Sequence, residues 1–273
     1  MVSQESPQLQ DRLEFAVEIA RRAGEETLRF FRTSGLDVQR KQDGSPVTAA
    51  DRQAEQLLRQ QIRSKYPNDA ILGEEFGETA GTSPFRWILD PIDGTKSFVS
   101  GVPLYTTLVA VLWQDKPQIG VIFAPAASEM VYAAKGSGSW HVVGEGTPQR
   151  AKVSTTSKLA EAVFLTTSVR SFSTDRQLDA RPVYDQLQQS CRLTRTWGDA
   201  FGYLLVATGR AEIMIDAALS LWDAAALQPV IEEAGGEFFD WHGQPSVYSQ
   251  EAIATNAALA DRVMALAKPY SGR

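Results

Sequence analysis

Apolar residues recur at helical spacing over residues 8–32, where Leu13, Val17, Ala20, Leu28 and Phe31 share one face of a helix. A polar, glycine-containing stretch follows from Thr33 to Val47. A second helix is expected from about Thr48, with Ala54, Leu57, Leu58 and Ile62 inward and Pro67 beyond its end. The pattern then changes. Ile71-Leu72 and the run from Arg86 to Leu89 are short and apolar, and each ends abruptly in acids. Residues 105–113, 118–123 and 130–134 resemble successive strands, with turns at 114–117 and 135–139. The second half predicts a strand over 163–167, a helix over 175–189, a strand over 191–196 and a helix over 199–208. It continues with a strand over 211–215, a helix over 222–234, strands over 236–239 and 252–255, and a helix from Asn256 to Lys268. Helices alternating with strands in this way predict a mixed α/β fold with helices layered on sheets. The 273 residues contain no linker or repeat, so two tightly packed halves, 1–150 and 151–273, are expected.

Composition narrows the function. A chain with 43% hydrophobic and 22% charged residues is globular rather than disordered. The net charge of −6 makes it a poor general binder of nucleic acid or anionic membrane, so a phosphate partner must be met locally or through metal ions. Cys191 is the single cysteine, which forbids an intrachain disulfide and fits a reducing compartment. No apolar run approaches the ~18 residues of a membrane span, and the start, MVSQESPQ, lacks the features of a secretion signal. A cytoplasmic protein is expected.

The most informative stretch runs from Trp87 to Thr95, Trp-Ile-Leu-Asp-Pro-Ile-Asp-Gly-Thr. An apolar strand delivers Asp90 to its end, Pro91 interrupts regular pairing, Asp93 follows, and Gly94 permits a tight turn. Thr95 is expected to cap a following helical turn whose free N–H groups face an anion. Two carboxylates beside an anion site suit a metal-assisted phosphate reaction. The competing reading is an Asx-type turn at a strand end. Glu74 and Glu75 close the preceding apolar run, where adjacent acids are usually solvated. Asp223 opens the helix at 222–234, where an acid stabilises the helix N-terminus in any case. Thr48 and Asp51 have the spacing of a capping box, which explains both without any catalytic role.

Together Glu74, Asp90, Asp93 and Asp223 form an all-oxygen set, which suits Mg²⁺. Zinc is disfavoured, because the two histidines, His141 and His242, and Cys191 have no metal-ligand spacing. A P-loop is absent. The position six residues after Cys191, where a cysteine phosphatase wants arginine, holds Trp197. A dehalogenase-type Asp-x-Asp is ruled out by Pro91, two residues before Asp93. Activated water is therefore preferred to a covalent aspartyl phosphate.

Five segments in order resemble the inositol monophosphatase family: Val47 to Asp51, Gly73 to Glu75, Asp90 to Thr95, Trp222-Asp223 and Glu232 to Gly236. The resemblance covers nearly the whole chain. It implies an α-β-α-β-α layered sandwich, a homodimer, and a Mg²⁺-dependent, lithium-sensitive phosphomonoesterase with two or three ions per site. By the same resemblance Glu74, Asp90, the Ile92 carbonyl, Asp93 and Asp223 hold the metals, and Glu75 acts through its neighbours or on a further ion. Thr95, backed by Asp51, orients the attacking water, and the amides of Gly94 and Thr95 bind phosphate.

Within the family, Lys96-Ser97-Phe98, the segment Arg195 to Tyr203 and the segment Leu205 to Glu212 are similar to the histidinol-phosphatase branch. Asp216, seven residues before Asp223, falls where the family places an acid facing the leaving group, and Asp199 adds a second. Two acids there favour a cationic alcohol such as histidinol over uncharged inositol, although Asp199 also fits as the cap of the helix at 199–208. Histidinol phosphate is the first expected substrate and inositol 1-phosphate the second. A broad sugar-phosphate or nucleotide phosphatase and a catalytically silent binding relative are the further alternatives.

Overall fold

The computed structural model describes residues 5–34, 38–40 and 46–272, with residues 5–7 known through their backbone alone. The first amphipathic pattern folds as α1 (Glu5–Leu28). Beyond it, β1 (Val38–Arg40) pairs antiparallel with β2 (Pro46–Thr48). The rest of the expected polar stretch, residues 35–37 and 41–45, lies outside the described residues, as does the very start of the chain. The second pattern folds as α2 (Ala49–Lys65), opened by the Thr48–Asp51 capping box.

Next come β3 (Ala70–Gly73), β4 (Gly77–Thr79), β5 (Phe85–Asp93), the short α3 (Thr95–Val99), β6 (Thr106–Trp113), β7 (Lys116–Ala124), β8 (Glu129–Ala134), β9 (Gly138–Val143) and β10 (Gln149–Arg150). They build an eight-stranded sheet ordered β10-β9-β8-β7-β6-β5-β3-β4. Its pairs are antiparallel except for β3 with β5. The chain continues through β11 (Val163–Leu165), α4 (Ser171–Thr174), α5 (Arg181–Ser190), β12 (Leu193–Arg195), α6 (Ala200–Ala207) and β13 (Ile213–Asp216). It ends with α7 (Leu221–Ala224), α8 (Leu227–Glu233), β14 (Gly236–Phe239), β15 (Ala252–Asn256) and α9 (Ala260–Ala267). The second sheet has five strands, ordered β12-β11-β13-β15-β14.

Strand periodicity sorts these elements into layers. Trp87 and Leu89 of β5 face α1 and α2, packing with Ala16, Ile19, Leu58 and Ile62. Ile88, between them in sequence, faces the other way, toward Leu204 of α6 and Leu227 and Val230 of α8. Met214 and Ala254 of the second sheet join that middle layer. Ile213, Ile215 and Ile253 point outward onto Val183 and Leu187 of α5 and Val263 of α9. The order is α-β-α-β-α, as expected. Among the described residues no helix is long and apolar enough to cross a membrane.

Several boundaries differ from expectation for identifiable reasons. α1 stops at Leu28 instead of running to residue 32, because Phe31 leaves the helix to pack against Phe98 and Tyr105. The expected helix 222–234 is two helices, α7 and α8. Pro229 has no N–H to bond back toward residue 225, so the helix breaks there. Ala226, in the break, presses its carbonyl on β7, where a Cβ at Gly120 would lie 2.0 Å from that oxygen. The helix expected over 175–189 begins only at Arg181, where Pro182 occupies the first turn. The last helix begins at Ala260 because Asn256 pairs with Gly236 as the end of β15.

α1 is pinned by a buried charge pair. The Arg12 guanidinium donates to Asp69 Oδ2 from Nε at 3.1 Å and Nη2 at 3.0 Å, and Trp87 Nε1 donates to the same oxygen at 3.0 Å. Its plane is 3.7 Å from the centre of the Phe85 ring. Removing one member of such a pair leaves the other charge uncompensated. Arg12→Met is expected to lower unfolding stability by about 3–5 kcal/mol in urea titration, with part of the loss recovered when Asp69→Asn is added.

Candidate functional site

Side chains alternate along a regular strand, so residues three apart face opposite sides. β5 escapes this rule between Asp90 and Asp93. Asp90 pairs with Leu108 and Asp93 with Thr106, so three steps on β5 match two on β6. The extra residue is a β-bulge, and it turns both carboxylates to the same side. Pro91 contributes no N–H to the ladder, while its carbonyl accepts the Thr107 hydroxyl at 2.8 Å. Asp90 Oδ1 accepts the Ile92 N–H at 3.0 Å, so the expected Asx turn is present inside the acidic site.

Asp223 reaches the same place from the start of α7. It completes a capping box with Ser220, whose N–H donates to Asp223 Oδ2 at 2.7 Å. Helix capping and site membership are thus compatible. Asp90, Asp93 and Asp223 each offer a carboxylate oxygen within 4.8 Å of the others. Glu74, at the end of β3, lines the same cavity of about 220 Å³, together with Ile92, Gly94, Thr95, Lys96, Thr167 and Asp199.

Among the described residues, five carboxylates line this cavity, with Lys96 as the one cationic side chain of the lining. Burial pushes Asp90 well above the usual carboxylate range, and the charges of Glu74, Asp93 and Asp223 push it further. Asp93 is raised by burial and then by Asp199 and Asp223. Burial, with Glu74 and Asp199, pushes Asp223 up to about 7. The carboxylates of this cluster outnumber the one described cation, Lys96, and its donors are all oxygen. That is what a hard divalent cation requires, so the residues fit a metal centre of that class.

The other expected residues divide by position. Gly94 sits at φ +84°, and a Cβ there would lie 2.8 Å from Asp199 Oδ2. Gly94, not Thr95 as expected, takes the N-cap position of α3, and no side chain caps it; the Thr95 hydroxyl instead donates back to the Ile92 carbonyl at 3.1 Å. Asp51, Glu75 and Asp216 stand outside the lining. Asp51 is buried at the start of α2, where one oxygen accepts the Thr48 hydroxyl at 2.6 Å and the Thr48 N–H at 2.8 Å. Asp216 is buried behind the wall, bonded to the Thr167 N–H at 2.9 Å and the Tyr203 hydroxyl at 3.2 Å. Burial pushes it up to about 7.

Asp199 occupies the N-cap position of α6, yet its side chain makes no capping bond there. Its backbone, at φ 51° and ψ −160°, lies where residues other than glycine are strained by about 1–3 kcal/mol. Neighbours hold it there. Its N–H donates to Thr167 Oγ1 at 2.8 Å, and the next N–H, of Ala200, donates to Asp93 Oδ2 at 2.6 Å. The carboxylate is left over the cavity beside Gly94.

With this geometry in place, comparison with known proteins decides the relationship. Residues 8–271 match the inositol monophosphatase family. The chain belongs to that family. Its members are metal-dependent, and this chain has a cluster of three acidic residues, Asp90, Asp93 and Asp223, whose carboxylates could hold a metal ion. Among relatives of this inositol monophosphatase family chain, a histidinol-phosphatase from Chlorobaculum parvum is 41% identical, over 93% of this chain and 95% of that protein. A histidinol-phosphatase from Mycobacterium tuberculosis is 38% identical, over 93% and 96%. Among solved structures, an IMPase from Thermotoga maritima superposes with a TM-score of 0.84 at 29% identity, covering 95% of this chain and 98% of that one.

Residues that sequence spacing does not reveal also serve this family site. The Thr106 hydroxyl donates to Asp93 Oδ2 at 3.1 Å from the neighbouring strand. Thr167 bonds to both Asp199 and Asp216. Lys96 draws the Asp199 carboxyl down against burial, leaving it at about 6. Asp90→Asn removes one of the crowded charges. In chelator it is expected to melt about 2–4 °C above the parent, while losing most of the rise in Tm that Mg²⁺ gives the parent in a thermal scan.

Proposed function

We propose that this chain hydrolyses histidinol phosphate to histidinol and inorganic phosphate, using two or three Mg²⁺ ions per site. The observation that carries the substrate is Asp199, a carboxylate held over the cavity in strained backbone and free of the helix cap it was positioned to make. Relatives of matching length named histidinol-phosphatase support the same reading. Glu74, Asp90, the Ile92 carbonyl, Asp93 and Asp223 are the proposed ligands. Mg²⁺, when bound, supplies charge to the phosphate oxygens and lowers the pKa of a coordinated water.

The chain's own groups do the rest. In this proposal Thr95 orients the water that attacks phosphorus in line, Asp51 supports it from the Thr48 cap to which its carboxylate is bonded, and the amides of Gly94 and Thr95 take the phosphate oxygens. Glu75 acts through the turn it shares with Glu74, or on a further ion. The P–O ester bond breaks as the new one forms; the attacking water gives up one proton, and the departing alkoxide of histidinol takes up one from solvent, so that the sum is ester plus water to alcohol plus phosphate. Asp199 receives the cationic amine of the leaving alcohol, with Asp216 adding negative potential from behind the wall. The same proposal takes the protein as a cytoplasmic homodimer acting on a small free phosphate monoester, with neither nucleic acid nor membrane as partner.

Inositol 1-phosphate is the second candidate, favoured by the fold shared with the Thermotoga maritima IMPase. A Mg²⁺-supported assay pairing the two phosphoesters separates them, with kcat/KM higher for histidinol phosphate. Asp199→Asn is expected to lower kcat/KM for histidinol phosphate about ten- to a hundredfold, as for loss of a charged hydrogen bond, and to change inositol 1-phosphate far less. Equal losses on both would remove the charge argument. A pure protein releasing phosphate from neither would favour a silent binding relative.

A further inference from the structure

Glu55 is fully buried on the inner face of α2, one helical turn beyond Asp51. An isolated carboxylate there would be costly, and three contacts of two kinds satisfy it. Arg59, one turn further along the helix, donates from Nε to Glu55 Oε1 at 2.7 Å. The N–H of Glu75 donates to Oε2 at 2.7 Å, and the N–H of Phe76 to Oε1 at 3.2 Å. Both amides belong to the tight turn between β3 and β4, where Gly73 pairs with Gly77.

Arg59 grips the far arm of the same hairpin. It donates to the Gly77 carbonyl and, from Nη1, to the Thr79 hydroxyl at 3.1 Å. Gly73 is part of the fit, since a Cβ there would lie 2.1 Å from Glu55 Oε1. The near arm ends in Glu74, whose N–H donates to the Leu89 carbonyl at 3.2 Å, one residue before Asp90. The turn that bears Glu74 is therefore held from beneath by one buried ion pair, outside the cavity that Glu74 lines.

We propose that Glu55, neutralised by Arg59, is the positioning residue for Glu74, fixing the β3–β4 turn so that the Glu74 carboxylate is presented to the acidic cavity. The proposal rests on Glu74 being a metal ligand. Glu55 touches neither substrate nor metal in this role; its effect passes through the amides of Glu75 and Phe76. Groups that orient a ligand in this way change metal affinity by about 10–100-fold when altered.

Glu55→Gln keeps the shape but leaves a single oxygen to accept from two amides. Calorimetric titration of Mg²⁺ in the presence of inorganic phosphate is expected to show a dissociation constant about 10–100-fold higher than the parent's. Hydrogen exchange should quicken at the Glu75 and Phe76 amides, and kcat at saturating Mg²⁺ should fall much less than metal affinity. Arg59→Lys keeps the charge and loses the fork to Gly77 and Thr79, giving a smaller shift in the same direction, and it serves if Glu55→Gln does not fold. A merely structural role would lower Tm and leave the dissociation constant unchanged, and that result in either folded variant overturns the proposal. A parent chain that binds no Mg²⁺ overturns the metal-ligand reading as well, so the two failures are told apart before any variant is made.

Discussion

Carboxylates that must converge on a cation repel one another before it arrives, and burial makes the repulsion worse. In this chain the conflict centres on Asp90 and Asp93, which regular strand geometry would point apart. The bulge at Pro91-Ile92 brings them together, and the sheet can hold it because β5 lies inside, paired to β3 on one side and β6 on the other. Trp87 and Leu89 anchor one face of that strand and Ile88 the other. The two apolar layers thus resist a local repulsion that would otherwise straighten or expel the strand end.

The remaining acids are fixed by bonds that ordinary local structure already requires. Asp223 caps α7, Asp51 caps α2, and Glu55 closes the β3–β4 turn. A side chain that satisfies backbone N–H groups loses little further freedom when it also serves a site, because its rotamer is already set. Choosing between cap and functional residue is therefore a false choice at Asp223, where one oxygen takes the Ser220 N–H and the side chain still joins the cluster.

This overlap also governs what could be read from the sequence. The strand carrying Asp90 was legible because β5 to β8 are nearly continuous apolar runs and α2 keeps a helical period, whereas the order of the five layers came with the family resemblance. The end of α1 was not, since Phe31 is decided by partners at Phe98 and Tyr105, far along the chain. The break between α7 and α8 had a local signal in Pro229, overlooked because the apolar pattern runs through it. Glu55 had a signal too: a glutamate on the same face as Ala54, Leu58 and Ile62, with Arg59 one turn on, is a charge placed among core positions. Thr106 and Thr167 had none, because their roles depend on strand register and on a contact between distant segments.

The site is built unevenly, and the unevenness follows from what each side must do. Toward the acidic cluster, positions are set by a bulge, a cap and a clamped turn, all within or beside regular elements. On the proposed leaving-group side stands Asp199, in backbone that costs free energy to maintain and that hydrogen bonds to Thr167 and Asp93 help to hold. The Ala200 N–H bonded to Asp93 joins the two sides, so a change in the acidic cluster is felt directly at the start of α6. If Asp199 selects the leaving group as proposed, any change of specificity made in the segment before α6 is tied to the acidic cluster through the Ala200–Asp93 bond.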